Sequence, residues 1–248
     1  MLATFTLKDF KSFREARLPL GPLTVLIGAN AAGKSNAIEA LRLLSWLAQG
    51  QKLSAIQYAV NSADRVVRGR VADLCHRGQS QFWLGCVTDD PHWNRLDMQI
   101  SIREGELHIS AEKIDAVSAT VPLYEIDQAS TGLNTDAGVA YNNFLRGSKR
   151  PHVTVSDQMA VFAQFESAAR FEAGHKTAQD TIPTVAKRYQ NLLSNILFLD
   201  PVPARMREYS YTNDKRLLGG GTNLSSVLHR LWGADADAGT EQIGRAHV

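Results

Sequence analysis

Residues 28–36 read GANAAGKSN, and Gly28, Gly33, Lys34 and Ser35 fill the spacing G-x-x-x-x-G-K-[S/T]. Glycines in such a loop let backbone N–H groups turn inward around phosphate oxygens, where a side chain would intrude. A helix starting at the loop adds unpaired N–H groups and the positive end of its dipole. In this spacing the lysine reaches the outer phosphates and the serine hydroxyl can ligate Mg²⁺. The flanks agree. LTVLIG, residues 23–28, is a continuous β-branched run expected to form a strand buried on both faces. After the loop, Ile38, Leu41, Leu44 and Leu47 repeat at helical spacing, and Gly50 suits the C-terminal cap.

Working outward, MLATFTLKDF alternates and predicts a first strand, and FKSFREARLPL predicts a bend and a second, short one. Residues 51–80 begin helical and turn loop-like. QFWLGCVTD, RLDMQISIRE and ELHISAEKI predict three strands, the last two joined by a tight turn at REGEL and therefore antiparallel. Residues 128–151 are rich in Gly, Asn, Ser and Thr and read as an extended loop or hairpin insertion. Residues 157–195 are mostly helical in pattern, NILFLDP reads as another buried strand, and TNLSSVLHRLWG reads as a helix capped by Thr222 or Asn223 and ended by Gly233.

Of 248 residues, 44% are hydrophobic and 21% charged, as in an ordinary globular chain. No apolar run reaches the roughly 18 residues of a membrane span, and no secretion signal is read at the N-terminus. The two cysteines, Cys75 and Cys86, form no CxxC pair and read as buried thiols of a cytoplasmic protein. The net charge of +2 is unevenly spread: residues 1–70 hold ten Lys/Arg against four Asp/Glu, and residues 89–140 hold ten Asp/Glu against three Lys/Arg. A basic half beside an acidic flank is compatible with nucleotide or nucleic-acid contact, and equally with a mixed solvated surface.

A guanine-reading N/TKxD sequence is absent, and a strand set expected to be antiparallel follows the loop helix where a small-molecule kinase runs into its next parallel strand. The stretch LKDFKSFREARLPLGPLTVLIGANAAGKSNAIEAL resembles the ATP-binding head of ABC-type ATPases of the RecF/SMC/OLD kind, and ILFLDPVPARMREYS and GGGTNLSSVLHRL are similar to later segments of that family. The resemblance implies an α/β P-loop NTPase, the N-terminal part of an ABC-type head with an antiparallel β portion and a helical insertion. It implies a P-loop core with the antiparallel portion over 1–127, the loop insertion over 128–151, and an incomplete remainder of the head over 152–241. It also implies ATP and Mg²⁺ as ligands, a homodimer through ATP-bound heads, and DNA as a possible partner. Carried over residue by residue, the nucleotide-binding set is Lys11, Ser12, Gly28, Ala29, Asn30, Ala31, Ala32, Gly33, Lys34, Ser35 and Asn36, with Ser35 on the metal. Ala31 and Ala32 stand where the family often has a glycine. Arg205 and Arg207 are candidate phosphate or DNA contacts.

Hydrolysis in such heads needs a carboxylate on Mg²⁺ and another that positions water. Asp200 is the one match to the first, but Pro201 stands where the glutamate belongs and no LSGG-like signature precedes it. The last seven residues, Gln242 to Val248 (QIGRAHV), read as a translated sequencing adapter, so the natural sequence is expected to end near Glu241. Three functions stay open on the residues alone: an ATPase working on DNA in repair or phage defence, a nucleotide-gated scaffold that binds a partner protein, and a P-loop kinase.

Overall fold

The computed structural model describes residues 1–56, 66–116, 119–145, 147, 149–200, 202–204, 206 and 217–237, with backbone alone for 233–237. The chain divides into two units, Met1–Ile196 and Leu197–Val248.

The first unit is built on one eight-stranded sheet. Its strands are β1 (Leu2–Phe10), β2 (Phe13–Pro19), β3 (Gln81–Thr88), β4 (Arg95–Arg103), β5 (Glu106–Asp115), β6 (Tyr124–Gln128), β7 (Asp136–Tyr141) and β8 (His152–Ser156). They lie in the order β2-β1-β3-β4-β5-β6-β7-β8, with every neighbouring pair antiparallel. The register shows why the alternation in the sequence works. Phe5 pairs with Cys86, Cys86 with Leu96, Leu96 with Ile114, Ile114 with Tyr124 and Tyr124 with Tyr141, a row of buried side chains across six strands. One residue away, Thr6, Gly85, Asp97, Lys113, Glu125, Ala140 and His152 form the matching row. Period-two alternation sends the two rows to opposite faces, one apolar and one largely polar. Ion pairs of Arg95 with Asp97, Lys113 with Asp115, Arg150 with Glu125 and His152 with Asp127 decorate the polar side.

Among the described residues, three α-helices belong to this unit: α1 (Lys34–Ala48), the single turn α2 (Val161–Gln164) and α3 (Lys176–Ser194). Leu43, Leu44 and Leu47 of α1 and Ile182, Tyr189 and Leu193 of α3 join the buried cluster that contains Phe5, Leu7 and Phe10. Edge-to-face rings fill it further: Phe10 on Phe82 at 5.2 Å, Tyr124 on Phe165 at 5.2 Å and Phe165 on Phe171 at 5.1 Å. Two buried polar knots tie the layers together. Glu112 accepts from the Tyr124 hydroxyl and the backbone N–H groups of Val161 and Phe162, fixing the start of α2 on β5. Asp157 accepts from Arg103, Ser130 and Gln158 and lies 2.8 Å from His108 Nδ1. Burial pushes the Cys75 thiol up to about 11 and Cys86 to about 12, so both are inert buried thiols.

The expected strands over 2–19 and 81–115 stand, and so does the tight turn, with Glu104 at φ 51° and Gly105 at φ 86°. Two expected strands are corrected. Residues 23–28 form no strand; they pair with no described strand, and Leu23 is 76%, Val25 67% and Ile27 90% exposed. Residues 196–200 likewise form no strand, and Leu197 and Leu199 are exposed. Of the two readings of residues 128–151, the hairpin stands: they contain β7, which pairs antiparallel on both sides and carries the sheet on to β8.

In the second unit, Asp200 N donates to Gly219 O at 2.8 Å and Val202 N to Gly220 O at 3.1 Å, holding the two segments side by side. Helix α4 (Leu224–Asp237) follows; it runs past Gly233 instead of ending there. Asn223 contributes its carbonyl to the Val227 N–H, and its side-chain oxygen accepts from Leu218 N. The tail from Gln242 lies outside the described residues.

Candidate functional site: the loop at the start of α1

The segment 28–33 turns the chain from the exposed run 23–27 into α1. Ala31 at φ 64° and Gly33 at φ 89° both adopt the left-handed conformation that makes the turn. Ala32 N donates to Ala29 O at 3.3 Å, and Ala37 N to Gly33 O at 3.0 Å starts the helix. Gly33 is the residue before the helix, and no side chain caps the first turn, which also holds no acidic residue. The N–H groups there are left for a ligand or water, and the dipole end is left uncompensated.

Lys34 arches back over the loop. Its ammonium donates to Gly28 O at 2.6 Å and Ala29 O at 2.7 Å. Gly28 has ordinary room: an added Cβ would stand 3.9 Å from Ala32 Cβ and from Lys34 Cδ. Gly33 has none, because a Cβ there would meet the Phe13 ring at 2.9 Å and Ser12 Oγ at 3.3 Å. Ala29, Asn30, Ala31, Ala32 and Ser35 are exposed. Asn36 Nδ2 donates to Ser12 Oγ at 2.8 Å, so the β1–β2 turn and the loop helix are in direct contact.

Lys11 belongs to the same turn, but its ammonium faces elsewhere. It pairs with the Glu39 carboxylate and donates to Arg68 O at 2.8 Å. Arg68 also pairs with Glu39 through its side chain and donates to it from its backbone N at 3.1 Å. Burial pushes the Glu39 carboxyl up, and the hydrogen bonds from Lys11 and Arg68 outweigh it, leaving the group below the ordinary carboxylate range. Glu39 and Arg68 are the residues that sequence reasoning passed over. The signal was present: Glu39 lies beside Ala40 and one turn before Leu43, a charge on the apolar stripe of α1.

Asp200 is exposed and lies in the second unit. Arg205 and Arg207 lie outside the described residues. Among the described residues, no group of three or more His, Cys, Asp or Glu could hold a metal ion, and no helix is long and apolar enough to cross a membrane.

A loop with two left-handed residues, an uncapped helix start and a lysine folded over it is an arrangement that could receive an anion. Comparison with known proteins shows what the chain is similar to. Residues 1–114 match the AAA ATPase domain. The chain is 30% identical over 122 residues to the DNA replication and repair protein RecF of Chlamydia muridarum, covering 48% of this chain and 29% of that protein. It is 31% identical over 106 residues to RecF of Gloeobacter violaceus, covering 42% and 24%. A shorter stretch of 45 residues is 53% identical to RecF of Caulobacter vibrioides, covering 18% and 12%. The matches thus span under a third of the length of these relatives.

Proposed function

We propose that the chain binds Mg-ATP at residues 28–36 and is the nucleotide-holding front of a cytoplasmic P-loop ATPase that works on DNA, in repair or phage defence. The observation that carries this reading is the uncapped start of α1, with Lys34 and Ser35 on its first turn, inside the matched AAA ATPase domain. The residues fit the ligand. Backbone N–H groups at 33–36 and the Lys34 ammonium, released from Gly28 O and Ala29 O, would hold the phosphates. The exposed Ser35 hydroxyl would take the metal. Bound Mg²⁺ would neutralise phosphate charge.

The remaining parts of the reading rest on the family resemblance. The full ATPase would have an α/β P-loop core. Its heads would close as a homodimer over ATP. Asp200, followed by Pro201, is a poor hydrolytic carboxylate, so this chain would bind ATP without turning it over. Arg205 and Arg207 remain proposed phosphate or DNA contacts.

The test is phosphate release at saturating Mg-ATP, with and without duplex DNA, by the wild-type chain, Lys34→Ala and Asp200→Asn. No release above the Lys34→Ala level is expected, while DNA should change ATP retention, because coupling between two ligands is reciprocal. Turnover that is lost in Asp200→Asn would contradict the assignment of a non-hydrolytic chain. ATP retention indifferent to DNA would contradict the DNA role.

A further inference from the structure

The β1–β2 turn is fastened to α1 at two points. Ser12 Oγ receives Asn36 Nδ2 at 2.8 Å, and Lys11 pairs with Glu39. Asn36 and Glu39 are three residues apart and so share one side of the helix. Lys11 is pinned from every side. Its N donates to Leu74 O at 2.9 Å, its O lies 2.7 Å from His76 Nδ1, and its backbone holds the left-handed φ of 47°. Its side chain is only 11% exposed and that of Glu39 only 6%. The next residue after this clamp, Phe13, supplies the ring under Gly33. The wall of the phosphate loop is therefore held in place by a buried ion pair that points away from the loop.

We infer that Glu39 is a positioning residue of the nucleotide site: through Lys11 it fixes the Lys11–Phe13 turn against Gly33 and Asn36, and so fixes the loop that receives the phosphates. The inference rests on the proposed nucleotide-binding reading. It assigns Lys11 a bracing task in place of a phosphate contact. The two roles predict opposite signs. If Glu39 braces the turn, removing its charge leaves a desolvated lysine without its countercharge, the turn shifts, and nucleotide binding weakens. If Glu39 merely holds Lys11 off the phosphates, removing its charge frees the lysine and binding tightens.

The experiment is a double-mutant cycle on Mg-ATP affinity in the 248-residue chain, using Glu39→Gln, Lys11→Met and the pair, with Lys11→Arg and Lys34→Ala alongside. Glu39→Gln and Lys11→Met are each expected to weaken binding about tenfold, as loss of a supporting partner does elsewhere. The pair should be no weaker than Glu39→Gln alone, because each single change already removes the Lys11–Glu39 interaction. Lys11→Arg should retain most of the affinity. Unfolding midpoints without nucleotide separate loss of fold from loss of position, and Lys11→Met, which leaves Glu39 its Arg68 partner, serves if Glu39→Gln does not fold. Unchanged or tighter binding in Glu39→Gln, or fully additive losses, would overturn the inference while leaving the phosphate loop standing. Failure of the wild-type chain to bind ATP above Lys34→Ala would overturn the nucleotide reading and the inference together.

Discussion

The ring of Phe13 closes the floor beneath Gly33: a Cβ built on Gly33 would lie 2.9 Å from Phe13 Cζ, and Gly33 itself sits at φ 89°. Sterics and backbone conformation thus demand glycine here independently. Gly33→Ala is expected to destabilise the first unit by about 2 kcal/mol and to lower ATP affinity. Denaturant unfolding checks the first, and an unchanged midpoint would show that the turn and the loop are not in contact.

Ala31 carries the opposite problem. It has a Cβ at φ 64°, where such a residue costs about 1 kcal/mol or more. Ala31→Gly is therefore expected to hold or raise stability. Ala37→Gly, inside α1, should lower it by about 1 kcal/mol. Equal losses in the two variants, read by thermal unfolding, would count against the left-handed conformation at Ala31.

Much of this was legible in the sequence, and the pattern of hits follows from physics. The strand pairs over 2–19 and 81–115 are antiparallel neighbours with one apolar face, so Phe5 and Leu7 against Thr6 and Lys8 declare both strand and face. The loop declares itself through Gly33 and Lys34. β7 hides because its small residues, Asp136 to Tyr141, owe their extended state to β6 and β8 rather than to local preference. The runs 23–28 and 196–200 announce a demand for burial, but an apolar run does not state what covers it. Glu39 showed in the sequence only as a charge on an apolar stripe, because its partners come from the β1–β2 turn and from the segment after α1, 28 and 29 residues away.

Those exposed runs carry a prediction. Val25 and Ile27 are apolar, exposed and without a described partner strand, the features of an aggregation-prone patch. Val25→Lys combined with Ile27→Lys should reduce concentration-dependent light scattering and leave the melting temperature unchanged. A drop of several degrees would mean that these side chains are buried.

Glu112 sets a pH dependence. Burial pushes its carboxyl up to about 7, against the downward pull of Tyr124 and the Val161 and Phe162 N–H groups. A carboxyl raised on folding favours the folded state most while protonated. Its contribution is complete below the unfolded value near 4.5 and is lost as pH rises through about 7. Unfolding free energy should fall between pH 5 and pH 8 by on the order of 2 kcal/mol more in wild type than in Glu112→Gln. Identical pH slopes in urea titrations would refute this.

The central claim is that residues 28–36 hold the phosphates of ATP, and the most direct test is thermal unfolding of the wild-type chain and Lys34→Ala with and without Mg-ATP. At one hundred times the dissociation constant, ligand linkage stabilises the wild type by about 2.7 kcal/mol. Lys34→Ala removes the ammonium that folds over Gly28 and Ala29, so most of the melting shift should vanish. An equal shift in both proteins would contradict the account.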